Sequence, residues 1–219
     1  MVTLQNGNQA WSFSSSQYTQ AAVGNVEKYL KEYIQYLSKR ALYPFKWEYR
    51  PEADVTTELD TKGAAYYQSL IGVLRWIVEL SRADIFVEAS MMASYMAAPR
   101  QGYLDQVLHI FAYLKQNHNC EMIFDPTPPD IDGNQFPVED WSASVYNGAK
   151  EILLSNSPEL RGKGFFLRMF VDLDHAGMEN TRRSRTGFIC FANNAPMYWS
   201  SKGQGCVQTN SFGLEFTAS

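Results

Sequence analysis

The stretch that decides the fold is FFLRMFVDLDHAG (Phe165–Gly177), followed by MENTRRSRT (Met178–Thr186), GFICFANNAPMYWSSKGQ (Gly187–Gln204) and, after four residues, TNSFGLEFTAS (Thr209–Ser219). The first piece is a run of aromatic and β-branched residues that reads as a strand and ends in two acids, Asp172 and Asp174. Successive strand residues alternate faces, so these two carboxylates point the same way. Two acids projecting together repel each other and call for a cation or a solvated rim. In the third piece GFICFA and PMYWSS flank Asn193-Asn194-Ala195, and Asn tolerates the positive φ of a tight hairpin turn. In the last piece Thr209, Asn210 or Ser211 can cap a helix that carries Glu215 in its first turns.

Strand with Asp, hairpin, then helix with Glu is the order in which a ribonuclease H fold begins. The pieces DLDHAG, TRRSRTGF, APMYWSSKGQ and NSFGLEFTAS resemble the ribonuclease H segment of copia-type LTR retrotransposon polyproteins. There the same stretches read DADWAGD or DADHAGD, R-x-S-x-[ST]-G-[YF], [IP]-x-W-x-SKKQ and SS-x-x-[AS]-E-[YF]. Upstream, YYQSLIGVLRWIVELSRADI and PRQGYLDQVLHIFAYLKQNHNCEMIFDP are similar to that family's connection region. The chain departs from the family at Met178, Gly203, Asn210 and Leu214.

The resemblance implies an α+β fold: a helical connection region, then a truncated ribonuclease H-like fold of three antiparallel strands and a helix. The expected organisation is a helical region at 1–125, a loop-rich insertion at 126–164, and the N-terminal part of the ribonuclease H-like domain at 165–219. The implied activity is hydrolysis of the RNA strand of an RNA–DNA hybrid by two Mg²⁺ ions. Asp172 and Glu215 are the implied catalytic and metal-binding residues, with carboxylates within roughly 8 Å of each other, and Asp174 is a further metal candidate. The resemblance implies that His175 packs beside them or supports a metal ligand instead of binding the metal itself. In the family, further acids follow beyond the segment that matches Ser219. The 219 residues alone are therefore expected to be inactive. A relic or scaffold that only binds nucleic acid through Arg182, Arg183, Arg185 and Lys202 is the alternative. The implied partners are the hybrid and the reverse transcriptase part of a Pol polyprotein, in a cytoplasmic virus-like particle or the nucleus.

Composition bounds these expectations. With 219 residues and 45% hydrophobic content the chain can bury a sizeable core. A net charge of −4 argues against a wholesale nucleic-acid coat. Charge is unevenly spread, however. Between residues 48 and 60, Glu48, Glu52, Asp54, Glu58 and Asp60 face only Arg50. Between residues 159 and 205, Arg161, Lys163, Arg168, Arg182, Arg183, Arg185 and Lys202 outnumber Glu159, Asp172, Asp174 and Glu179, as suits a site holding phosphate beside a metal. The cysteines Cys120, Cys190 and Cys206 are odd in number and widely spaced, which points to a reducing, intracellular setting. No signal peptide and no apolar run of membrane-spanning length is evident, so no membrane partner is expected.

Before the deciding stretch, a polar lead ends in Ser14–Ser16, which offer caps for a helix to about Arg40, with Val23, Val26, Leu30, Tyr33 and Leu37 on one stripe. Residues 41–62, broken by Pro44 and Pro51, read as an extended connector. Further helices are expected from Ala64 to Leu80, from an Asp84 cap to Ala97, and from Asp105 to about Asn117. The first buries Tyr67, Leu70, Ile71, Leu74, Ile77 and Val78, and the last Leu104, Val107, Leu108, Phe111 and Leu114. Met91, Met92 and Met96 are expected to fill gaps in the core, and His109 to be packed rather than a ligand. A short strand falls at Cys120–Asp125.

Overall fold

The computed structural model describes residues 1–47, 49–131, 164–174 and 182–205. The fold is mixed α and β: a helical core flanked by two small antiparallel sheets. In chain order the elements are β1 (Val2–Thr3), β2 (Gln9–Phe13), α1 (Ser16–Glu32), α2 (Thr61–Glu79) and α3 (Phe86–Ala93). They continue with α4 (Gln101–Gln116), β3 (Met122–Phe124), β4 (Leu167–Asp174), β5 (Arg185–Ala192) and β6 (Ala195–Gly203). No helix among the described residues is long and apolar enough to cross a membrane.

Periodicity builds the core. All six stripe residues of α2 are buried, from Tyr67 to Val78. They meet Val23, Val26 and Leu30 of α1, Met92 of α3, and Val107, Ile110, Phe111 and Leu114 of α4 in one cluster. A fully buried Ile, Leu or Phe contributes roughly 1.5–3 kcal/mol, so this cluster dominates the stability of the helical half. Tyr67 satisfies its hydroxyl by donating to Met92 O at 2.7 Å. Met92 is fully buried while Met91 and Met96 are half-buried, so the Met group is core and core edge. His109 lies half-buried with Nε2 at 3.2 Å from Tyr43 O.

Three helix limits depart from the sequence expectation. First, α1 stops at Glu32 rather than near Arg40, although Leu37 beyond it is still buried. Gln35 N donates to Leu30 O and Ile34 N to Lys31 O, the paired bonds that close a helix around a left-handed residue. That residue is Ile34 at φ 58, and Tyr33 on the expected stripe is left exposed. Second, Asp84 does not cap a helix running to Ala97. It lies in a 3₁₀ turn, Ala83–Ile85, and its carboxylate is taken by the fully buried Arg82 through Nε and Nη2, both at 2.7 Å. Burial alone would lower the Arg82 pKa, but the Asp84 carboxylate outweighs it and holds it above the ordinary value. Arg82 Nη1 also donates to Asn117 O, and Tyr113 OH donates to Asp84. Third, α4 begins at Gln101, four residues before Asp105. Its first N–H groups find acceptors on a distant loop, Gln101 N on Thr57 O and Gly102 N on Thr56 Oγ1. By contrast, α2 is capped locally, with Asp60 accepting from Gly63 N at 2.7 Å.

The connector is not a free linker. Gln106 on α4 bonds Pro44 O and accepts from Lys46 N. Tyr49 OH and Thr56 both donate to the Asp54 carboxylate. That carboxylate lies so close to Gly102 that a Cβ there would collide with it. The polar lead also holds structure: β2 pairs with β1 and with β3, placing Trp11 opposite Phe124.

In the second sheet, β4 pairs antiparallel with β5 from Leu167↔Ala192 to Asp174↔Arg185, and β5 with β6. Asn193 and Asn194 alone make the turn, Asn193 at φ 54, and Ala195 already belongs to β6. Arg168 clamps the turn by donating to Asn193 O and Asn194 Oδ1. The sheet rests on the helical half through Trp199 and through Ser90 Oγ donating to Ser201 O at 2.6 Å. Asn193 and Asn194 tie it to Pro126 and Thr127.

Candidate functional site at the end of β4

Asp172 and Asp174 project from one face of β4 at its C-terminal end, roughly 6.6–6.8 Å apart along the strand. Register places Gly187, which has no side chain, opposite Asp172, and Arg185 opposite Asp174. Both acids are exposed, and Asp174 acts electrostatically on Arg185 opposite it. Two exposed carboxylates on one face are the hard oxygen donors that suit a hydrated Mg²⁺. No group of three His, Cys, Asp or Glu able to hold a metal occurs among the described residues. Glu215 and His175 lie outside the described residues, as does the helix expected after Thr209.

The four basic candidates separate. Arg182 and Arg183 are exposed on the approach to β5, at the same end of the sheet as Asp174, with Arg182 in the left-handed region at φ 53. Lys202 is exposed opposite Thr186, which puts it on the other face of the sheet from the two acids. Arg185 shares the face of the acids but turns inward. It is 7% exposed, and its Nη1 donates to Ser90 Oγ at 3.1 Å and Ser201 Oγ at 3.3 Å. Burial lowers its pKa, against the pull of Tyr95 and Asp174. Arg185 thus pins the sheet to α3 instead of standing free in solvent.

Residues the sequence did not single out complete this corner. Phe45, Tyr49 and Pro51 from the connector and Tyr95 after α3 join Asp174 and Arg185 around a cavity of about 190 Å³. Burial and the Asp54 hydrogen bond push the Tyr49 hydroxyl far above its ordinary pKa, so it stays protonated and donates. The aromatic residues of a Pro-interrupted connector were the available signal. Nothing local, however, ties residues 45–51 to a strand end more than a hundred residues away. No protein family, curated protein or solved structure matches the chain.

Proposed function

We propose that this chain is the connection and ribonuclease H-like region of a copia-type retrotransposon Pol polyprotein, with β4–β6 as the first three strands of the ribonuclease H-like sheet. The observation that carries the reading is the pair Asp172 and Asp174, side by side at the end of the first strand of an antiparallel three-stranded sheet. Among the described residues no strand lies outside β4, and Leu167, Met169, Phe170 and Val171 are exposed, in keeping with a sheet that continues and is covered further on.

In this reading Asp172 and Glu215 are the metal ligands, with Asp174 beside them. Bound Mg²⁺ would supply an activated water and neutralise charge on the scissile phosphate. Arg182 and Arg183 hold the phosphate backbone at the acidic strand end and orient it without reading sequence. Three carboxylates suit one hydrated ion better than two, because Mg²⁺ sheds water reluctantly and needs several oxygens in place.

The test is hydrolysis of an RNA–DNA hybrid with Mg²⁺ or Mn²⁺. The 219 residues alone are expected not to cut above background. Extension with a family-like C-terminal segment restores cleavage, and Asp172→Asn abolishes it again. Cleavage that persists in the Asp172→Asn variant would overturn the assignment.

A further inference from the structure

The face of the sheet that carries the two acids is otherwise almost bare at that end. Pairing sets Gly187 and then Ser201 beside Asp172, and Arg185 and then Gly203 beside Asp174. Among the described strand residues at this end of that face, Arg185 is the one cation, and Asp172 and Asp174 are the anions. Cross-strand partners on one face hold their Cβ atoms about 4.5–5.5 Å apart. Arg185 nevertheless keeps its charge unspent. Its Nη1 is held by the hydroxyls of Ser90 and Ser201, and its Nη2 is buried with no hydrogen-bond partner. Neutral hydroxyls satisfy a donor without cancelling a charge, and among the described residues no carboxylate forms an ion pair with Arg185. Asp174 and Arg185 wall the same cavity, where their charges act on each other. Glu52 lines it too, but it faces Arg50 at 4.0 Å, so that pair adds little net charge.

We propose that Arg185 is a fixed counter-charge that sets how tightly the acid end of β4 holds a divalent cation, keeping it weakly loaded until substrate phosphates arrive. The inference rests on the metal reading of Asp172 and Asp174. Before a metal binds, the guanidinium offsets the mutual repulsion of the two carboxylates. It does not leave when a metal arrives, because Ser90 of α3 and Ser201 of β6 anchor it. A cation on Asp174 therefore sits close to a full positive charge and is repelled. Phosphate oxygens bring charge of the opposite sign, and Mg²⁺ is commonly held by one or two carboxylates together with substrate phosphates. Arg185 thereby couples metal loading to substrate.

The test is Mn²⁺ binding to the 219-residue chain, read by loss of the free-ion electron paramagnetic resonance signal. In Arg185→Met and Arg185→Gln the dissociation constant is expected to fall roughly three- to tenfold, the repulsion of a unit charge on a divalent ion about 6 Å away after screening by salt. The gain shrinks as ionic strength rises. Both variants leave Ser90 Oγ its bond to Ser201 O, and circular dichroism checks that they fold. Ser90→Ala removes an anchor but keeps the charge, so binding does not tighten. Binding that Asp172→Asn abolishes, yet that is no tighter in either neutral variant, overturns the inference and leaves the metal reading standing. Equal tightening in Ser90→Ala also overturns it, because charge would not be the cause. Binding absent from every form, or indifferent to Asp172→Asn, overturns the metal reading and this inference with it.

Discussion

Removing the Asp84 carboxylate strands a guanidinium in the core. Arg82 is fully buried and spends two nitrogens on Asp84, leaving Asn117 O as its remaining acceptor among the described residues in Asp84→Ala. Breaking a buried ion pair from one side costs roughly 3–5 kcal/mol, because the remaining charge is uncompensated. The Asp84 side chain is 32% exposed, so water can partly replace it, and the low end, about 3 kcal/mol, applies. With a urea dependence of about 2 kcal/mol per molar, the unfolding midpoint falls by about 1.5 M at neutral pH. Tyr113→Phe removes only the 3.1 Å bond to Asp84 and costs about 1 kcal/mol. The double variant Arg82→Met, Asp84→Leu removes both charges and comes within about 1 kcal/mol of the unaltered protein. A midpoint shift below about 0.5 M for Asp84→Ala would refute the reasoning, since the buried charge would then have found another partner.

Burial raises the Asp54 carboxyl, but bonds from the Thr56 hydroxyl and backbone and from Tyr49 outweigh it and hold its pKa below the ordinary value. Its contribution is therefore present above pH ~3.9 and lost as pH falls through the depressed value, so Asp54→Asn flattens the acid limb of urea midpoint against pH. Gly102→Ala drives a Cβ into the same carboxylate and is expected to lower the thermal midpoint, whereas Gly72→Ala, in open space, is not. Ile34 at φ 58 carries left-handed strain on a β-branched residue, so Ile34→Asn is expected to stabilise by about 1 kcal/mol in urea unfolding. Arg182→Ala with Arg183→Ala is expected to weaken hybrid binding and reduce the salt slope by about two, by fluorescence anisotropy.

What the sequence made legible is what local patterns encode. The stripe from Tyr67 to Val78 marked α2, and alternation marked the strands, with an Asn-Asn turn that pairs β5 with β6. The parity of Asp172 and Asp174 followed from strand geometry alone. What escaped is non-local. The start of α4 depends on acceptors at Thr56 and Thr57, and β2 became a strand because β3 lies beside it. Asp84 had the chemistry of a helix cap, but a buried guanidinium two residues away claimed it. Arg185 counted as one more surface base until Ser90 and Ser201 drew it inside.

The central claim is that Asp172 and Glu215 share a metal site. Mn²⁺ titration followed by amide resonance broadening tests it directly, because a bound paramagnetic ion erases signals only in its neighbourhood. The expected result is joint loss of the Asp172, Asp174 and Glu215 signals at low Mn²⁺, with all three retained in Asp172→Asn. Broadening of the β4 end that leaves Glu215 untouched, or broadening that is unchanged in Asp172→Asn, would contradict it.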